Sequence, residues 1–416
     1  MRIAIIGGGI SGLVAAYQLQ AKADVSLFEA NDYIGGHTHT IDVSEGNRSL
    51  AIDTGFIVYN NWTYPNFIRL LERLKVETQA SDMSFALSDP TSGFAYAAPR
   101  LSGLFAQKKN ALSPTFYRML WDIVRFSKDG PAFLRDCGDD VPLSVFFERG
   151  RYSTVFLERY LVPMISAIWS SGCDEVADLP ARYFLNFFEN HGLMNLKERP
   201  QWRVITGGSR NYIAPLIATF QERVHLRSPV RKVTRYLDKV TLTMPNEDEH
   251  SFDHVVLAVH SNQALRMLSE PSDAERDILG AIPYQPNEVA LHTDTSLLPE
   301  NRKAWASWNY RMTDNGTNRA KLTYHMNRLQ SLNTKRDYLV SLNQNDDLDG
   351  KHCIGRYNYS HPTFSSAAVA AQKRHNEISG VNRTHYCGAY WGYGFHEDGV
   401  KSALDACAWF DAGALL

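Results

Sequence analysis

The chain has 416 residues, of which 44% are hydrophobic and 21% charged, with 43 basic side chains against 45 acidic ones. That length exceeds one ordinary core, so two domains are expected. The near-cancelled charge offers no footing for a polyanion and sets nucleic acid aside as a partner. The five cysteines (Cys137, Cys173, Cys353, Cys387 and Cys407) form no C-x-x-C pair, so neither a disulfide framework nor a metal site is expected. Met1 leads straight into a strand and no apolar run reaches the roughly 20 residues of a membrane span, which points to a cytoplasmic protein.

In chain order, Arg2 to Ile6 reads as a strand buried on both faces. Gly7, Gly9 and Gly12 follow in G-x-G-x-x-G spacing, and Ile10, Leu13, Val14 and Tyr17 recur at helical intervals. Such a unit holds a dinucleotide: the first glycine makes the turn, the second admits the pyrophosphate, and the third packs helix on strand. The amides around Ile10 and Ser11, at the helix N-terminus, then face the phosphates. Val25 to Glu29 is a second strand, and Glu29, 17 residues beyond Gly12 and followed by Ala30, is placed to accept bonds from a ribose diol. Asn31 to Thr40 (NDYIGGHTHT) adds Gly35 and Gly36, then His37 and Thr38, which are suited to a phosphate or a cofactor ring. Ala51 to Asn60 reads as a strand and turn bringing Gly55 and Phe56 against the same cofactor.

Residues 64 to 199 read as helices dense in aromatic and aliphatic side chains: 67–75, 115–128, 143–149, 152–170 and 182–191. A block of that kind walls an apolar cavity or forms an ordinary helical core. Trp202 to Ser209 returns to tight turns, and strands are expected at 224–226, 230–237, 240–244 and 252–260. Further strands are expected at 288–293 and 321–326, and Thr384 to Gly388 is a strand running into glycine. An aromatic loop to His396 and a helix from Asp398 to Phe410 complete the chain. Residues 1–63, 202–282 and 380–416 are therefore expected to build the cofactor domain, with 64–201 and 283–379 building a discontinuous substrate domain. Between Arg100 and Arg135, seven basic residues stand against two acids, flanking a stripe of Phe116, Met119, Leu120, Ile123 and Val124. The stripe suits core packing, or an interfacial helix making peripheral contact with anionic lipid.

Taken together, GGGISG (7–12), Glu29, GGHTHT (35–40), DTGF (53–56), the strands from Val230, VVLAV (255–259) and CGAYWGYGFHEDGV (387–400) resemble, in shared order, the FAD-dependent amine oxidase, protoporphyrinogen oxidase and carotenoid desaturase superfamily. The resemblance implies an α/β fold, with a Rossmann-like FAD domain of the glutathione-reductase type and a mixed helix and sheet substrate domain. It implies that Val230 holds the adenine, and that Gly388, Tyr390, Asp398, Gly399 and Val400 belong to a segment whose helix points at the flavin pyrimidine. A helix N-terminus there offers amides and a positive dipole to the negative charge of reduced flavin. Two departures stand out. His37 replaces the family's arginine after the glycine pair, and Asn287 to His292 has no match for the lysine that amine oxidases place near the flavin.

GGHTHT, FLNFFENHG (184–192), 202–209 and TYHMNRLQ (323–330) resemble a bacterial subgroup associated with methyl-branched and furan fatty acid formation. The implied activity is hydride abstraction from an apolar substrate, a small molecule or a phospholipid acyl chain, with oxygen or another electron acceptor reoxidising non-covalent FAD. Hydride leaves readily only from a C–H beside a lone pair or π electrons, so an allylic position on a methyl-branched unsaturated chain is the expected target. Amine or porphyrinogen oxidation, and a non-catalytic flavoprotein or lipid carrier, are the alternatives. The flavin motifs place Tyr59, Trp391, Tyr393 and His396 on the expected catalytic face, with His191 as a candidate base.

Overall fold

The computed structural model describes residues 1–169, 176–195, 197–312 and 319–410. Its first half contributes β1 (Arg2–Ile6), α1 (Ile10–Leu19), β2 (Asp24–Phe28), β3 (Phe85–Asp89), β4 (Phe94–Ala98), α2 (Pro114–Asp136), α3 (Val162–Trp169) and α4 (Ala181–Asn190). The second half adds β5 (Val224–His225), β6 (His254–Leu257), β7 (Tyr284–His292), β8 (Trp308–Arg311), β9 (Leu322–His325), β10 (Leu339–Leu342), β11 (Cys353–Pro362), β12 (Thr384–Tyr386) and α5 (His396–Ala408).

A five-stranded parallel sheet in the order β5-β2-β1-β6-β12 carries the glycine turn at its centre. The run Arg2 to Ile6 forms a strand because both of its faces are covered. Ile3 and Ile5 pack with Leu13 and Val14 of α1 and Val400 and Ala403 of α5. Ala4 and Ile6 pack with Val233 and Leu242 of a separate antiparallel sheet (232–235, 240–243 and 249–252). The chain leaves β1 for β2 on one side and reaches β6 on the other, so the carboxyl end of β1 is a topological switch point, where such sheets bind ligands.

The second layer is a seven-stranded sheet in the order β11-β7-β10-β9-β8-β3-β4. It shares one large core with α2, α3 and α4, including Phe85, Tyr96, Phe116, Phe126, Ile165, Phe188, Val289 and Val340. Several expectations are corrected here. The block from 64 to 199 is not wholly helical: β3 and β4 form a hairpin within it, and its apolar density reflects strands covered on both sides. The run from 252 to 260 divides at Asp253, with Phe252 in the antiparallel sheet and His254 to Leu257 in the parallel one. The expected strand from 288 begins at Tyr284, pairing throughout its length with β11, a strand the sequence reading did not identify. The stripe on α2 is a packing face: Phe116 and Met119 are buried, and Leu120 and Ile123 lie against the same core. No helix among the described residues is long and apolar enough to cross a membrane.

Candidate active site

A cavity of about 850 Å³ opens at the carboxyl ends of β1, β2 and β6, where Ile6, Phe28 and Ala258 line it. The glycine turn forms its floor. Gly7 adopts φ +107°, a conformation side chains rarely take, and a Cβ on Gly12 would collide with the Gly7 carbonyl. Gly9 and Gly35 meet in a single parallel β-bridge, which brings the two glycine segments together. Helix α1 begins at Gly9 with no side-chain cap, so its first amides are left for a ligand. A Cβ on Gly399 would press into Ile10 and Ser11 Oγ, so the N-terminus of α5 abuts that of α1 and two positive helix ends converge.

Glu29, at the end of β2, is buried. Its carboxylate accepts from Gly8 N at 2.7 Å, Asn31 N at 2.8 Å and Asn31 Nδ2 at 2.9 Å. Gly7, Gly9, Ile10, Ser11, Glu29, Ala30, Gly35, Gly36, His37, Gly55, Phe56, Val230, Gly388 and Tyr390 all line the one cavity. Gly12, Thr38, Asp398, Gly399 and Val400 stand behind that lining. Thr38 Oγ1 bonds Tyr212 Oη at 2.6 Å and His396 Nε2 at 3.0 Å. Asp398 caps α5 by accepting from Phe395 N at 2.9 Å, and burial pushes its carboxyl up to about 7.

The expected catalytic face is only partly assembled. Tyr393 and His396 line the cavity. His396 stacks on Phe56 with ring centroids 3.4 Å apart, and burial holds its imidazole well below the usual range, hence neutral. Tyr59, His191 and Trp391 do not line the cavity, and each for a packing reason. Tyr59 is buried against Tyr64 and Phe67. His191 closes the C-terminus of α4, bonding Phe187 O at 2.9 Å and Thr63 Oγ1 at 3.1 Å while stacking on Phe187. Trp391 turns onto His375, with ring centroids 4.4 Å apart.

The cavity also gathers residues that the sequence reading did not select. His260, which follows β6, and His361 of β11 flank His37 with ring centroids 6.1 and 5.4 Å away. Burial lowers His37 to about 4, and burial with mutual repulsion lowers His260 and His361 to about 3. His37 Nε2 is enclosed without a partner. A polar ring nitrogen is thus left for a group in the cavity, and it donates to a diphosphate or flavin oxygen only in the Nε2–H tautomer. The alternation Tyr357, Tyr359, His361 was the available signal, because a strand sets alternate residues on one face. At the other end Ile168, Trp169, Val289, Trp308, Tyr324, Leu342 and Phe364 form an aromatic and aliphatic wall.

These residues fit FAD: an acid for the ribose, open amides and a free imidazole for the diphosphate, and a helix end for the ring. Residues 10–327 match the family described as flavin containing amine oxidoreductase. The flavin-containing amine oxidase A of Bos taurus is 24% identical over 269 residues, covering 62% of this chain and 49% of that protein. The chain thus spans about half the length of the curated relatives it matches. Among solved structures, cyclohexylamine oxidase from Brevibacterium oxydans superposes with a TM-score of 0.69 at 17% identity, covering 98% of each chain. A CLA-producing fatty acid isomerase from P. acnes superposes with a TM-score of 0.70 at 17% identity and the same coverage. The chain belongs to the flavin-containing amine oxidoreductase family, and its cofactor is FAD.

Proposed function

We propose that this protein is an FAD-dependent oxidoreductase that removes hydride from an apolar, uncharged substrate, a methyl-branched unsaturated acyl chain. The observation that carries the reading is the chemistry of the cavity wall. Among the described lining residues, Glu29 is the only carboxylate, and it lies beside the glycine turn on the nucleotide side. The lining cations, Arg231 and Arg266, belong to the segments beside Val230 and Gln263, on the nucleotide side. The opposite end thus offers an ammonium no counter-ion and a carboxylate no cation, while Ile168, Trp169, Trp308 and Phe364 suit a hydrocarbon. The fold likeness to a fatty acid isomerase supports such a frame around an acyl chain.

Bound FAD supplies the two-electron acceptor, which oxygen or another oxidant then regenerates. The chain's own contribution is to hold and orient. His37, His260 and the α1 amides would hold the diphosphate, and the α5 N-terminus would offer its dipole to the ring. Tyr393 and the aromatic wall set the substrate and exclude water. A neutral His396, fixed by Thr38 and Phe56, serves as a positioning residue. Division of the chain into cofactor segments (1–63, 202–282, 380–416) and substrate segments (64–201, 283–379) belongs to this proposal.

Anaerobic mixing tests it. Branched unsaturated acyl lipids should bleach the flavin absorbance and yield a product with one more double bond, the second hydrogen being released as a proton, while primary and secondary amines should not. Bleaching by amines alone would overturn the reading in favour of amine oxidation. Lipid binding with no bleaching by any substrate would leave a carrier.

A further inference from the structure

Among the described residues, four of the twelve exposed large apolar side chains lie within 21 residues of chain: Leu101 (73% exposed), Leu112 (87%), Tyr117 (48%) and Trp121 (60%). They also cluster in space. Tyr117 and Trp121 share one face of α2, four residues apart, opposite the stripe that Phe116 and Met119 bury. Tyr117 Oη donates to Ala111 O at 3.1 Å, which sets Leu112 beside it. The Tyr117 ring lies 6.3 Å from Phe105, whose amide bonds Leu101 O at 3.0 Å.

The charge along this stretch of chain has one sign: from residue 99 to 121 there is no acid, and Arg100, Lys108, Lys109 and Arg118 are all exposed on it. Arg100 and Arg118 have carboxylates at 3.7 and 3.2 Å, on Asp82 and the buried Asp122. Lys108 and Lys109 have no acidic partner among the described residues; the Lys109 ammonium donates only to Ser92 O at 3.3 Å. Exposed aromatic and aliphatic tips on a cationic stretch of chain match the interface of an anionic bilayer, where Trp and Tyr sit at headgroup depth.

The position of the patch adds to the argument. On its inner side α2 meets α4 through Phe126 and Phe188, 5.8 Å apart. Helix α4 meets Trp169 of α3 through Phe184 and Phe187. Trp169 is part of the cavity's apolar wall. The patch therefore covers the outside of the same helical layer whose inside lines the cavity.

We infer that Leu101, Leu112, Tyr117 and Trp121, with Lys108 and Lys109, form a docking surface for an anionic lipid membrane. The inference rests on surface chemistry and not on the proposed substrate. Sedimentation of the FAD-loaded protein with phosphatidylcholine vesicles, with and without phosphatidylserine, tests it. Binding should require phosphatidylserine and fall as salt is raised. Changing Lys108 and Lys109 together to Gln should weaken it on the order of 25-fold, since each surface cation contributes about fivefold. Leu112→Ser with Trp121→Ser should abolish it. All these side chains face solvent, so the variants should keep the melting temperature and flavin content of the parent.

Equal binding to neutral vesicles, no binding at all, or full binding by the Leu112→Ser, Trp121→Ser variant would overturn the proposal. So would a concentration-dependent dimer that the same variant dissolves, because the patch would then cover a second copy of the chain. Flavin bleaching by acyl lipids in detergent separates the two readings: bleaching without vesicle binding removes the docking surface alone.

Discussion

Removing the carboxylate at Glu29 should weaken FAD by an amount the structure helps to set. In Glu29→Ala the ribose diol loses a charge-assisted acceptor, a loss of about 1.5 to 3 kcal/mol. At tenfold per about 1.4 kcal/mol, that is a Kd raised roughly ten- to 150-fold. The same change also strips a partner from Gly8 N and from Asn31 N and Nδ2. Gly8 is buried, so its orphaned amide should lower the stability of the apoprotein by about 1 to 3 kcal/mol. Asn31 is exposed, and water replaces its partner. Glu29→Gln separates the two effects: it keeps the shape, loses the charge, and turns a donor amide toward one of three donors. Its FAD affinity should fall toward the lower end of the range. Titration of apoprotein with FAD by flavin fluorescence gives Kd, and melting of the same apoproteins gives the stability cost. An unchanged Kd in Glu29→Ala, with or without a lowered melting temperature, would refute Glu29 as the ribose ligand and leave it a brace for the turn.

His191, expected as a candidate base, and His396, expected on the catalytic face, should behave differently. His191→Gln should lower the melting temperature through two lost hydrogen bonds and leave kcat and KM unchanged, whereas His396→Gln should alter the flavin absorption spectrum and slow turnover; loss of turnover in folded, FAD-loaded His191→Gln would restore its catalytic role. Acid should destabilise the apoprotein through His37, His260 and His361. Their folded values of about 4, 3 and 3 lie below the roughly 6.5 of the unfolded chain, so as pH falls below about 6.5 the unfolded state takes up protons that the folded state refuses. Asp53 and Asp398, raised by burial to about 6 and 7, act in the opposite sense between about pH 7 and 4 and are common to parent and variant. Changing His260 and His361 together to Asn should therefore flatten the fall in melting temperature between pH 7 and 4; an unchanged slope would show that the cluster is already solvated.

What was legible in the chain alone was what short stretches decide. Gly7 to Gly12 dictate a turn because a Cβ at Gly7 or Gly12 has no room, and Glu29 follows at the distance one helix and one strand require. Buried runs such as Arg2 to Ile6, and the last helix, expected from Asp398 and found from His396, are legible for the same reason: their backbone follows from neighbours within a few residues. Tertiary structure decided which side chains meet. Tyr59 and Trp391 directly follow the cavity residues Val58 and Tyr390 yet point into packing, since a single step along the chain turns a side chain to another face. His361 reaches His37 only because β11 pairs along the whole of β7, a register set by contacts some seventy residues apart. The same holds for α2, where Phe116 and Met119 found a core built by β4 and α4 and so left Tyr117 and Trp121 facing water. Local spacing determines backbone conformation, but convergence of groups from distant segments follows from burying apolar surface across the whole chain, and no local pattern encodes it.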